Sequence, residues 1–256
     1  MAVRKKIIIG NWKMNPLMLS EAKGIFARIK RLALPLKKIS VVICPPVLYL
    51  GELSRTIKRG NVTVGSQDVF FEELGSFTGE VSAVMVRNGG ASWTIVGHSE
   101  RRRLGDSDAI VAKKLSAGLK AGLFALLCVG ELVRDEHGVY LAFIHEQLVG
   151  ALERVPSKFL KRLVIAYEPV WAIGQKEQNA ITPRHLHEMV LYVRKVLSDQ
   201  YGEAVGRAVP VLYGGSVFPK NAGQFLSEGA ADGLLVGRES LKPEEFGTIL
   251  KIANGL

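Results

Sequence analysis

Eight short apolar runs, separated by segments of helical period, constrain this chain more than any other feature. The runs are Ile7–Asn11, Ile39–Cys44, Asn61–Ser66, Trp93–Gly97, Leu123–Val129, Leu163–Tyr167, Val209–Tyr213 and Asp232–Val236. Each has strand length and is nearly continuous in hydrophobic residues, as strands buried on both faces are. Between them apolar residues recur at helical spacing: Ala22, Ile25, Ile29 and Leu32; then Leu141, Ile144, Leu148 and Leu152; then Leu186, Val190, Val193 and Leu197. Shorter helices are predicted from Pro45-Pro46 to about Ile57 and over Ser82–Asn88, Asp108–Leu119, Asn221–Ser227 and Pro243–Ile252. Asn15-Pro16 and Thr182-Pro183 read as helix starts, a cap followed by proline in the first turn. Strict β–α alternation predicts a parallel sheet. Eight units in 256 residues predict a closed (β/α)8 barrel, one domain over residues 1–256. An open doubly wound sheet is the alternative, but no Gly-x-Gly-x-x-Gly follows the first strand.

Composition narrows the class. Hydrophobic residues make up 48%, enough for a large core. No apolar run reaches the ~18 residues that cross a bilayer, so no membrane partner is predicted. Only Ile7-Ile8-Ile9 follows the basic start before Gly10, too short for a signal-peptide core, which predicts a cytoplasmic protein. Cys44 and Cys128 each close an apolar run and read as small buried hydrophobes in a reducing compartment. The net charge of +10 favours an anionic partner. The basic residues are spread along the chain, however, and no aromatic-interleaved basic motif occurs, so no nucleic acid is predicted. Most of the charge is assigned to solvated helix faces, with modest steering of an anionic substrate.

A parallel barrel does its chemistry where strands end. Glu168 ends the sixth run, and Pro169, with no N–H for a ladder, stops the strand. Val170-Trp171-Ala172-Ile173 then puts apolar residues into a surface loop ahead of Gly174, a composition suited to closing over a ligand and excluding water. A solvated Glu with Trp171 packed on a neighbouring loop is the plainer reading of this stretch alone. The first run ends Asn11-Trp12-Lys13; in extended chain Asn11 and Lys13 point together and Trp12 away. The fourth ends Gly97-His98-Ser99-Glu100, read as the start of a short helix with Ser99 capping. A helix N-terminus disfavours imidazolium, so His98 is expected to act as a neutral donor. Tyr213-Gly214-Gly215-Ser216 and Val236-Gly237-Arg238 place glycine after strands seven and eight, where backbone N–H groups bind phosphate in barrels. The other histidines, His137, His145, His185 and His187, lie in predicted helices or loops, and no metal site is predicted.

These segments resemble the triosephosphate isomerase family: Gly10-Asn11-Trp12-Lys13-Met14-Asn15, Gly97-His98-Ser99-Glu100-Arg101-Arg102, Tyr167 through Gly174, and Tyr213-Gly214-Gly215-Ser216, in the family's order and spacing. Phe77-Thr78-Gly79-Glu80 and Cys128-Val129-Gly130-Glu131 match as well. The resemblance implies interconversion of dihydroxyacetone phosphate and glyceraldehyde 3-phosphate without a cofactor. It implies Glu168 as base, His98 as electrophile and proton shuttle, and Lys13 and Asn11 as stabilisers of the oxyanion, with Glu100 positioning Lys13 or relaying a proton. Phosphate would lie on backbone N–H groups of Gly174, Ser216, Gly237 and Arg238, near Lys13. The loop Gln67–Glu80 resembles the family's dimer loop and implies a homodimer in which Thr78 reaches the neighbouring subunit's site. Two positions depart from the family. Gln175–Ile181 is about two residues longer than usual and lacks the second Gly. Arg238 stands where a second Gly is common. Both predict slower or less complete lid closure. A metal-dependent sugar-phosphate epimerase would need several His and Asp at strand ends, and only His98 qualifies. A non-catalytic binding barrel would need a broken catalytic set, and all four residues are present.

Overall fold

In the computed structural model, which describes residues 4–173 and 181–256, the eight strands are β1 (Lys6–Asn11), β2 (Ile39–Cys44), β3 (Val62–Ser66), β4 (Trp93–Val96), β5 (Phe124–Val129), β6 (Leu163–Tyr167), β7 (Val211–Tyr213) and β8 (Gly233–Val236). Every neighbouring pair is parallel, and β1 pairs with both β2 and β8, so the sheet closes. The helices are α1 (Leu19–Ala33), α2 (Val47–Ser54), α3 (Ala83–Asn88), α4 (Ser99–Arg103), α5 (Asp108–Lys120), α6 (Val139–Leu152), α7 (Pro183–Tyr201), α8 (Glu203–Ala208), α9 (Pro219–Ser227) and α10 (Pro243–Gly255). This is the expected (β/α)8 barrel.

Strand alternation divides the core in two. Ile9, Val42, Cys44, Leu126, Cys128, Val164, Ala166, Leu212 and Leu235 pack together inside the barrel. Ile8, Val41, Ile43, Leu127, Ile165 and Tyr213 face the other way and pack with the helices. That is why the strands read as unbroken apolar runs. The same parity carries one step past the strand ends. Asn11 follows Ile9 inward, Glu168 follows Ala166, Gly214 follows Leu212 and Gly237 follows Leu235, so four strands deliver these residues to one end of the barrel.

Several boundaries differ from expectation. The first helix does not begin at Asn15-Pro16; that bond is cis, and α1 starts at Leu19 after Met18, which makes no side-chain cap. Its buried face is Ala22, Phe26, Ile29 and Ala33, with Ile25 only partly buried. Gly97 lies outside β4 because its φ of 73° leaves the extended region. Thr182 caps α7 as expected, its hydroxyl accepting from the His185 N–H. The segment after Tyr201 is not simply a helix end: α8 follows at once.

The basic residues scattered in sequence are not scattered in space. The connections leading into the strands, with α8 counted among them, carry twelve Lys and Arg against four Asp and Glu. Those leading out, with α4 counted among them, carry eight against twelve. Of the two ends, the one away from Glu168 is therefore net positive and the mouth net negative, and the helices and strands carry the rest of the positive charge. Exposed charges more than about 8 Å apart are largely screened at physiological salt, so this excess does not steer an anion to the other end.

Candidate active site

A cavity of about 250 Å³ opens at the mouth of the barrel, bordered by Asn11, Lys13, His98, Glu168, Gly214, Ser216, Gly237 and Arg238. Five different strand ends supply these groups, which explains why residues far apart in sequence share one space.

Glu168 is 2% exposed. Its Oε2 accepts the backbone N–H of Ser99 at 3.3 Å. Its Oε1 has no hydrogen-bond partner among the described residues and lies 3.5 Å from His98 Nε2. Gly214 makes room for it: a Cβ there would meet Glu168 Cγ at 2.7 Å. Cys128 lies on the interior side. Burial, then the negative charge of Glu168, push its thiol well above the ordinary value, so it stays protonated.

His98 is itself the N-cap of α4, where Ser99 was expected. Its Nδ1 accepts the Glu100 N–H at 3.2 Å. That bond assigns the remaining ring proton to Nε2, facing the cavity.

Lys13 does not reach the cavity by extended geometry. Its φ is +54°, a conformation costing about 1–2 kcal/mol for an L residue. Neighbours hold the turn in place. The Lys13 N–H donates to Asn11 Oδ1 at 3.0 Å, and Gln67 Nε2 donates to the Lys13 carbonyl at 2.8 Å and to the Cys44 carbonyl at 2.9 Å. Asn11 thereby has its oxygen engaged and its amide NH2 left for the cavity. The Lys13 ammonium lies 2.6 Å from Glu100 Oε1. Burial raises the Glu100 carboxyl, but the hydrogen bond and charge of Lys13 outweigh it and hold the group below the ordinary value. Trp12 points away as expected, fully buried with Nε1 donating to the Ser240 carbonyl at 3.2 Å.

The apolar stretch after Glu168 forms a 3-10 turn, Val170–Ala172, with Ala172 buried. Trp171 Nε1 and the Tyr167 hydroxyl both donate to Oε1 of the buried Glu131, at 2.9 and 2.8 Å. Ser216 Oγ donates to the Ala172 carbonyl at 2.8 Å, tying the turn to the end of β7. Gly174 and the longer segment that follows it lie outside the described residues, apart from buried Ile181. Gly237 precedes a 3-10 turn, Arg238–Leu241, and the Arg238 side chain is exposed at the cavity rim.

Thr78 is exposed and does not border the cavity. Its loop is not a free excursion: the rings of Phe70 and Phe71 stack at 4.3 Å, and Phe77 lies 4.8 Å from Phe70. The foot of the loop is pinned by Lys114, 2% exposed, whose ammonium bonds Asp68 at 2.6 Å and Asp106 at 2.7 Å. Arg101 lies 3.1 Å from Asp68 and 3.3 Å from Asp106. The roles of Gln67 and of this ion cluster had no signal of their own in the sequence, because each depends on a partner from another strand–helix unit. Among the described residues, no group of three or more His, Cys, Asp and Glu could hold a metal ion.

Comparison with known proteins agrees with this arrangement. The family model for triosephosphate isomerase matches residues 6–253. The triosephosphate isomerase of Thermus thermophilus is 45% identical over 98% of this chain and 100% of its own length. That of Endomicrobium trichonymphae is 38% identical over 97% and 99%. The crystal structure of triosephosphate isomerase from Bartonella henselae superposes with a TM-score of 0.85 at 34% identity, covering 97% of this chain and 98% of that one. With the fold, nearly the whole length and the sequence all in agreement, the chain belongs to the triosephosphate isomerase family.

Proposed function

We propose that Glu168, His98, Lys13 and Asn11 carry the reaction of this isomerase, the interconversion of dihydroxyacetone phosphate and D-glyceraldehyde 3-phosphate, without a cofactor. The substrate is a small phosphorylated triose, and the reaction shifts a proton between adjacent carbons through an enediolate. Glu168 Oε1 takes the proton alpha to the carbonyl. General base catalysis of this kind contributes about 10²–10⁴-fold. The His98 Nε2–H meets the carbonyl oxygen as negative charge develops and moves protons between the two enediolate oxygens. Lys13 stabilises that charge through its ammonium and Asn11 through its amide NH2; each donor aimed at a developing oxyanion supplies about 10²–10³-fold. Glu100 positions Lys13. Backbone N–H groups of Gly174, Ser216, Gly237 and Arg238 hold the phosphate. The apolar turn Val170–Ile173 keeps water from the enediolate, which would otherwise expel phosphate.

The observation that carries this reading is the unbonded Oε1 of Glu168, buried at the mouth and facing His98 Nε2. A buried carboxylate oxygen with no donor is costly unless another molecule uses it. A coupled isomerase assay tests it: the wild type turns over, and loss of the Glu168 carboxylate lowers turnover by about 10²–10⁴-fold.

The same reading makes the chain one barrel domain over residues 1–256, cytoplasmic and active as a homodimer. Two buried free cysteines suit a reducing compartment. No described helix is long and apolar enough to cross a membrane. Exposed Met14, Leu17, Leu48, Met85 and Phe77 support a dimer in which Thr78 enters the neighbouring site. Sedimentation at twice the 27.9 kDa chain mass is the expected result, and a monomer at full activity would exclude it.

A further inference from the structure

We propose that the end of the barrel opposite the catalytic mouth is a docking face for an anionic lipid surface. The connections into the strands are net positive, with twelve Lys and Arg against four Asp and Glu; Arg55 and Arg207 are paired with Glu52 and Glu203, and two clusters of the others carry the argument. Lys37 and Lys38 before β2, and Lys58 and Arg59 before β3, are exposed, with no acid within ion-pair distance among the described residues; the Lys37 ammonium donates to the Leu34 carbonyl at 3.1 Å. The Asn61 Nδ2 bond to the Leu36 carbonyl, 2.8 Å, joins these two connections into one patch. Lys58 is near enough to Lys30 to lower its pKa further, after burial. A second patch, Arg154, Lys158 and Lys161 before β6, is also exposed and has no ion pair among the described residues; the Lys158 ammonium lies 5.1 Å from the Phe159 ring. In the closed strand order, β2 and β3 stand opposite β6 and β7, so the two patches lie across the rim from each other.

That placement selects the partner. A single-stranded nucleic acid needs a continuous basic track with aromatic platforms. Here the cations form two separated clusters on one rim. A broad flat anionic surface meets both at once, and the cytoplasmic leaflet carries such charge. Leu34 and Leu256 are exposed at the same end, available to the headgroup boundary. The association is peripheral, and it leaves Glu168 and the cavity facing solution.

Sedimentation with phosphatidylcholine vesicles, with and without phosphatidylserine, tests this on the full-length protein. The wild type is expected to partition only onto phosphatidylserine vesicles and to leave them in high salt. Each Lys or Arg near such a surface is worth about fivefold in partitioning. Lys37→Glu with Lys38→Glu, or Lys158→Glu with Lys161→Glu, should therefore weaken binding by more than about tenfold. Lys23→Glu with Arg184→Glu makes the same net charge change at the mouth ends of α1 and α7 and should weaken it far less. Isomerase activity should persist in the vesicle-bound fraction. Equal weakening by rim and control variants would reduce the effect to net charge and overturn the docking face. So would absence of wild-type partitioning, or binding to homopolymer RNA with none to vesicles.

Discussion

Glu168 Oε2 is fixed by the backbone N–H of Ser99, at 3.3 Å, so the first residue of α4 sets where the carboxylate rests. Gly214 backs the same side chain, and a Cβ there would overlap Glu168 Cγ. Gly214→Ala should push the carboxylate off its position. Misplacement by about 1 Å costs on the order of 10²-fold in rate. Steady-state kinetics should show that loss in kcat with a folded barrel by circular dichroism; an unchanged kcat would mean the pocket has room the geometry denies.

Trp171 anchors the apolar turn through its bond to buried Glu131. Trp171→Phe keeps an aromatic ring but removes the N–H donor along with the fused five-membered ring. A hydrogen bond to a charged group is worth about 1.5–3 kcal/mol. Tyr167 still serves Glu131, so the expected loss in urea-unfolding free energy is at the low end of that range. No loss at all would place the anchor elsewhere.

Lys13 and Glu100 form a pair that titrates on the acid side. Glu100 is held below its ordinary value, so its contribution is fully present above the usual carboxylate range and is lost as pH falls through the depressed value. The carboxyl is 40% exposed, so the stability effect is small. Glu100→Gln should flatten stability against pH on the acid side and lower kcat/KM by up to about 10²-fold through a less fixed Lys13. An acid-side profile identical to wild type would remove Glu100 from the positioning role.

Lys114 is buried between two aspartates, with Arg101 beside them. Lys114→Met leaves Asp68 and Asp106 with one partner in place of two. Breaking a buried pair costs about 3–5 kcal/mol, and Arg101 offsets part of that. Thermal unfolding should drop by several degrees, at about 2–4 °C per kcal/mol for a chain of this size. Because Asp68 adjoins Gln67, which holds the Lys13 carbonyl, KM should rise as well.

The strands were legible because both faces are buried, so no polar residue interrupts Ile39–Cys44 or Leu163–Tyr167. Their places at the ends of parallel strands were also enough to set Asn11 and Glu168 at one mouth. Lys13 was placed correctly for the wrong reason: a left-handed turn held by Gln67 and Asn11 brings it in, and no local pattern announces such a turn. Asn15-Pro16 misled because a capping residue before proline also serves a turn. The charge distribution was invisible for a geometric reason. A barrel returns to the same rim eight times, so cations far apart in sequence gather at one end.

The central claim is that Glu168 is the base. The direct measurement is a coupled isomerase assay on wild type and Glu168→Gln, with unfolding followed in parallel. Gln keeps the shape and still offers an oxygen to the Ser99 N–H, so the fold should survive. Turnover should fall by about 10²–10⁴-fold, the usual worth of a positioned base. Comparable turnover in the two proteins would contradict the assignment.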